Sequence, residues 1–219
     1  MKRWLCLSVI VIVGSFFVQT CAAEVETSGA AIVREMNLAR QQPAQYALLI
    51  DELRSHLRGN LLVLPGRAPL RTKEGTRAYD EAIQFLRRTS AQPALTFSPG
   101  MSRAAADHCA EQAGGGMSHR GRGGSSTADR INRYGASGGS WGENLSCWRN
   151  SAREIVIALI VDDGLRSRKH RANIFGSNFG YAGAAMGAHA QYRTICSIEF
   201  AGLYVERDAG SDAALVARN

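Results

Sequence analysis

Cysteine and proline are scarce in this 219-residue chain, at five each. No two cysteines form a Cys-x-x-Cys pair, and no Cys/His set has zinc-ligand spacing, which argues against a structural zinc site. Cys6 and Cys21 lie near the N-terminus. The other three, Cys109, Cys147 and Cys196, permit at most one internal disulfide, with the pairing left open. Cys196 sits in an apolar strand-like run, where a buried free thiol is common. The net charge is +7, yet no basic stripe with interleaved aromatics occurs, which argues against nucleic acid as a partner. The arginines are spread from Arg34 and Arg40 onward and read as solubility, with attraction to anionic lipid or cell-wall polymer as the alternative. There is no His-Glu-x-x-His helix, no serine in a nucleophile elbow and no obvious nucleophilic cysteine. Internal repeats are also missing.

The one long apolar run is N-terminal. Lys2 and Arg3 precede residues 4–18, and Cys21-Ala22-Ala23 supplies small residues at a cleavage position. The run falls short of the ~20 residues a membrane span needs. This pattern predicts a signal peptide over 1–23 and a secreted or periplasmic protein; a lipid anchor on Cys21 and a retained anchor helix are the competing readings. Residues 24–206 suffice for one domain with a core, expected to be monomeric, and the Ala/Asp/Gly-rich 207–219 reads as a flexible tail.

Along that domain, Ile32, Val33, Met36 and Ala39 mark one helical face, and Leu48, Leu49, Leu53 and Leu57 a second after Pro43. Pro43 ends the first helix or opens the second. Residues 58–76 read as irregular, 74–88 as a helix, and Ser98-Pro99 as the cap and first turn of another over 99–112. The glycine-rich 113–139 reads as loop, apart from a short helix near 126–134. Residues 141–148 read as a strand and 151–161 as an apolar helix capped by Ser151, with Glu154 completing a capping box. Two strands, 180–187 and 194–200, close the domain. Helices before and between short strands predict an α+β layered domain.

The polar residues that stand out are His119, Glu143, the Asp162-Asp163 pair and His170. His119 follows three glycines on a loop, where a ligand or acid/base role is favoured. His170, among Arg168, Lys169 and Arg171, reads by itself as part of a solvated basic loop. Glu143 has a structural alternative, accepting backbone hydrogen bonds, a role that suits Asn144 as well. His108 on an apolar helix face reads as a satisfied core residue, His189 as a hairpin-tip residue near the cleft rim, and His56 as surface.

In order along the chain, Met36-Asn37-Leu38-Ala39-Arg40, Ser102-Arg103-Ala104-Ala105-Ala106-Asp107-His108, Met117-Ser118-His119, Asp129-Arg130-Ile131, Gly142-Glu143-Asn144-Leu145 and Arg168-Lys169-His170-Arg171 resemble bacterial members of the CAP superfamily: cysteine-rich secretory proteins, antigen 5 and pathogenesis-related proteins, with the SCP domain. The resemblance covers about residues 30–204, its densest motifs 93–204. It implies a three-layer α/β/α sandwich with a short central antiparallel sheet. It also implies a cleft lined by His119, Glu143, Asp163 and His170. Asp162 competes with Asp163 for that place; a helical end favours Asp163, because only one of the two shares the face. Implied functions are binding of a lipid-like or cell-envelope ligand, or of a divalent metal such as zinc through His119 and His170. A cleft-dependent hydrolase or peptidase, with Glu143 and His119 as candidate catalytic residues, and an envelope module with a vestigial cleft are the alternatives.

Overall fold

The computed structural model describes residues 28–207; the expected signal peptide and nearly all of the expected tail lie outside the described residues. Ser28 opens α1 (Gly29–Gln41) by accepting the Ala31 N–H at 3.2 Å, and Pro43 is the first residue of α2 (Pro43–Ser55), where its missing N–H costs nothing. A small antiparallel meander follows where irregular chain was expected: β1 (Leu57–Arg58), β2 (Leu61–Leu62) and β3 (Leu70–Arg71). Two-residue strands are too short to carry an alternation signal. α3 (Thr76–Arg88), β4 (Thr96–Phe97) and α4 (Pro99–Gln112) come next, and Ser98 caps α4 through the Met101 N–H at 3.0 Å. α5 (Thr127–Ile131) is closed by a capping box between Ser126 and Asp129. Then come β5 (Gly135–Cys147), α6 (Ala152–Val161), α7 (Lys169–Ile174), β6 (Tyr181–His189) and β7 (Arg193–Glu206). β5 starts six residues ahead of the expected strand, because the glycines of 135–142 pair along β7 instead of looping. Ser151 caps α6, but the Glu154 carboxylate accepts from Asn150 N–H and Arg67, so only half of the expected capping box forms.

The central sheet has the order β4-β6-β7-β5. β6, β7 and β5 are antiparallel, and β4 adds two residues parallel to β6 at one edge. Alternation along β7 divides the core. Cys196, Ile198 and Phe200 face α1, α2, α3, α6 and α7; Ala201 faces α4 and α5 with Met101, Ala104 and Ile131. These are the three layers of an α/β/α sandwich. α4 lies so close to β6 that a Cβ at Gly183 would collide with the backbone of Met101 and Ser102. No helix among the described residues is long and apolar enough to cross a membrane.

One buried cation joins the helical layer to the long connections. Arg40 is 1 % exposed and donates from Nε to Pro93 O (2.9 Å) and from Nη1 to Ile174 O (2.6 Å) and Gly176 O (3.2 Å). Removing it strands three carbonyls. Arg40→Met is therefore expected to lower unfolding free energy by about 2–4 kcal/mol in a urea titration; a loss under about 0.5 kcal/mol would show that these carbonyls find other partners.

Candidate functional site

Consecutive residues of β5 face opposite layers, so Glu143 and Asn144 build two different halves of the candidate site. Glu143 points toward the α4/α5 layer. Its Oε1 accepts from His119 Nδ1–H at 2.5 Å, and its Oε2 is held by Arg130. The His119 ring is exposed at 62 %, whereas Glu143 and Arg130 are buried. Arg130 also donates to Ser125 O (3.1 Å) and His119 O (3.4 Å), so the same guanidinium fixes the carboxylate and the loop bearing the imidazole. With both oxygens engaged, Glu143 orients His119 and leaves Nε2 as the ring atom open to a ligand or proton.

Behind this pair lies a second carboxyl. Glu199 pairs with Glu143 across β5 and β7 and is fully buried. Desolvation pushes its pKa well up, and the neighbouring Glu143 charge pushes the same way, against a smaller opposing pull from Arg130, 3.5 Å away. Burial thus favours the protonated form of Glu199 beside the arginine-held Glu143. His108, fully buried as expected of a core residue, contacts Ser118 O at 2.9 Å and lies 3.6 Å from Glu143. Glu199 belongs to none of the sequence motifs, although a glutamate between Ile198 and Phe200 in an apolar run is the pattern of a buried carboxyl.

The other half lies across β5. Asn144 donates to His170 O (3.0 Å) and accepts from Asn173 (2.8 Å), holding α7 against the strand. His170 Nδ1–H donates to Asp162 Oδ1 at 2.8 Å, and the His170 backbone N–H donates to Asp162 Oδ2 at 3.1 Å. Asp162, not the expected Asp163, is therefore the carboxylate on this imidazole. The helical-face argument fails because α6 has already ended: Asp162 is left-handed at φ 54° and its side chain leaves the helical course. Asp163 turns away and accepts the backbone N–H groups of Lys73 (2.7 Å) and Glu74 (2.8 Å), ahead of α3. Nor is His170 on a solvated basic loop. It lies in the first turn of a helix, and Arg168 and Arg171 are buried against Glu74 and Glu81, with the Arg168 guanidinium holding Glu74 down to about 2.

The sequence-predicted residues thus form two carboxylate–imidazole pairs, His119–Glu143 and His170–Asp162. Among the described residues no group of three or more His, Cys, Asp or Glu is arranged to hold a metal ion. His189 holds its own hairpin, its Nδ1 accepting from Gln191 and Tyr192 N–H (both 3.1 Å), and its Nε2–H donates to Gly116 O (2.7 Å), bracing the loop before His119. Cys109, Cys147 and Cys196 are all free thiols. The run Gly135-Ala136-Ser137-Gly138-Gly139 has Gly-x-Ser-x-Gly spacing but lies inside β5, with Ser137 bonded to Asn132, so it is no strand-to-helix elbow.

Beside the His170–Asp162 pair opens a cavity of about 770 Å³ between α2, the meander, α6 and the end of β5. Leu53, Leu62, Leu145 and Ile157 form its apolar wall, and His170, Asp162 and the expected Asp163 all stand among its lining.

Glu199 makes stability depend on pH. The folded protein keeps a proton there that the unfolded chain loses near pH ~4.3, so stability declines as pH rises above that value toward the folded-state pKa. Glu199→Gln mimics the protonated acid. It is expected to be near-neutral at about pH 4 and to raise Tm at about pH 8–9, by about 2–4 °C for each kcal/mol gained. A melting curve showing equal destabilisation at both pH values would contradict a neutral Glu199.

The model of the cysteine-rich secretory protein family, CAP, matches residues 77–200. Among solved structures, an outer surface protein from Borrelia burgdorferi is similar at 17 % identity and TM-score 0.42, over 50 % of this chain and 78 % of that one. An extracellular protein containing an SCP domain from Bacillus anthracis is similar at 17 % identity and TM-score 0.41, over 57 % of this chain and 39 % of that one. A cysteine-rich secretory protein from Staphylococcus aureus is similar at 13 % identity and TM-score 0.36, over 57 % of this chain and 37 % of that one. No curated protein matches in sequence. The family model spans more than half of the chain, from α3 through most of β7, and includes both carboxylate–imidazole pairs: the chain belongs to the cysteine-rich secretory protein (CAP) family.

Proposed function

We propose that this is an exported CAP-domain protein that binds a lipid-like ligand. The observation that carries the reading is the 770 Å³ cavity with its leucine and isoleucine wall, within the range of about 300–1,000 Å³ usual for small-ligand sites. Export rests on the basic start, apolar run and small-residue cleavage position of the N-terminus. The test is native mass spectrometry of protein exported by its own leader, followed by solvent extraction. The expected result is a chain beginning at Glu24 that carries an extractable apolar ligand. An intact Met1 or a lipid on Cys21 would overturn the cleavage. A ligand-free protein that also fails to bind a hydrophobic fluorescent probe would overturn the lipid reading.

The two pairs favour a second reading, a loosely held divalent ion. Each imidazole donates through Nδ1 to a carboxylate and leaves Nε2 free of partners among the described residues, the arrangement that orients histidine ligands. Two nitrogen donors fall short of the three protein ligands usual at catalytic zinc and the four at structural zinc, and the two pairs form no metal-holding group among the described residues, so an ion there would be weakly held and folding would not depend on it. Such an ion supplies Lewis acidity when bound; the chain's own part is to hold the two rings in one tautomer. Calorimetry is expected to show modest zinc binding that vanishes in His119→Ala/His170→Ala. Equal binding by the double variant would place the ion elsewhere.

A further inference from the structure

Where β5 ends and the β6–β7 hairpin turns, three rings follow one another outward. His189 is buried and hydrogen-bonded through both ring nitrogens, and Tyr192 stacks on it at 4.8 Å and 19°. Tyr192 in turn meets Trp148 at 5.7 Å and a tilt of 44°. The inner ring is fixed, whereas Trp148 is 55 % exposed. Four non-glycine residues have left-handed backbone among the described residues, and two of them lie here, Trp148 and Arg193, both at φ 66°. Bulky side chains avoid that region, and such outliers gather at ligand sites. Each outer ring is followed in the chain by an arginine, Arg149 after Trp148 and Arg193 after Tyr192. Thr194 joins the two chain ends, accepting Trp148 N–H at 3.3 Å and donating from Oγ1 to Arg149 O at 2.9 Å. Neither arginine has a side-chain hydrogen bond or an ion pair among the described residues. Of this group only Trp148 and Arg149 reach the lining of the apolar cavity; His189, Tyr192 and Arg193 lie outside it.

We propose that the tilted Trp148–Tyr192 pair, flanked by Arg149 and Arg193, is a binding site for the acidic hexopyranose units of a polysaccharide. One face of a pyranose ring is a layer of C–H groups, and their positive edge packs on the negative face of an indole. The carboxylate of an acidic sugar is a bidentate acceptor for a guanidinium, and here two guanidinium groups stand at one aromatic pair without a carboxylate of their own. The same two charges repel a quaternary ammonium group, the other common occupant of an exposed indole face. The backing of Tyr192 by a buried, fully bonded His189 holds the platform in place before a ligand arrives, which lowers the entropic cost of binding. The site stands apart from the leucine and isoleucine wall and does not rest on the lipid reading.

The test is titration calorimetry on the mature protein with tetragalacturonate, tetramannuronate, neutral maltotetraose and phosphatidylglycerol vesicles. Both acidic tetrasaccharides are expected to bind, more weakly as salt is raised, with maltotetraose about tenfold weaker and the vesicles not bound. Trp148→Gly is the decisive variant. Glycine adopts φ 66° without strain, so Tm is expected to hold or rise while affinity for both acidic sugars falls about tenfold or more. Arg149→Gln/Arg193→Gln should weaken the acidic sugars about tenfold, flatten their salt dependence and leave maltotetraose within about twofold. Failure of both acidic sugars to bind the folded wild type would overturn the proposal, as would wild-type affinity in folded Trp148→Gly. Maltotetraose binding as tightly as the uronates, with the arginine double variant silent, would overturn the assignment of an acidic sugar. Vesicles binding in place of the sugars, and released by Trp148→Gly, would give the indole to a bilayer surface instead.

Discussion

Arg130 is a positive charge without solvent, and the His119 half of the site is arranged around keeping it neutralised. Its guanidinium holds Glu143, the two loop carbonyls of Ser125 and His119, and the Thr127 hydroxyl, and it stands 3.5 Å from Glu199. An unpaired ion in that position would be costly, so the carboxylate of β5, the cap of α5 and the loop before α5 must all adopt one arrangement together. That arrangement presents an exposed imidazole from a glycine-rich loop that has little regular structure of its own. Burial that favours the protonated form of Glu199 allows two carboxyls to share a single cation.

Buried arginine recurs through the molecule. Arg40, Arg130, Arg168 and Arg171 are all buried, and each bonds backbone carbonyls of connecting segments or helix ends. The chain's basic balance is in part an internal matter of tying loops to helices. This fits the absence of a basic stripe in the sequence.

The helices were legible because their signals are local: Ser98-Pro99, Ser126 and Ser151 open the helices they were expected to open, and Pro43 separates α1 from α2. The layered α+β architecture followed from their order. The meander escaped notice because two-residue strands carry no period, and α7 because its N-terminal residue pair, Arg168 and Lys169, reads as solvated charge until Glu74 and Glu81 are brought from α3 and its approach. His119, Glu143 and His170 stood out through their motifs. Asp162 could not be preferred over Asp163, because choosing between adjacent carboxylates requires knowing that the backbone turns left-handed at 162, which propensity does not specify for aspartate. Glu199 carries no motif signal for a related reason: its significance comes from a cross-strand pairing with Glu143, more than fifty residues away.

The register of β5 against β7 is interrupted once, between Gly138 and Trp141, and runs unbroken from Trp141 to Cys147. A bulge absorbs an odd residue, and beyond it each side chain's choice of face is set afresh. The chain between α5 and the site is therefore uncoupled in length from the site itself. A residue gained or lost at the glycines of 138–139 shifts only the bulge, whereas the same change at 142 would exchange Glu143 and Asn144 between layers and dismantle both imidazole pairs at once. Tolerance to insertion and absolute intolerance of it should lie within a few residues of each other on a single strand.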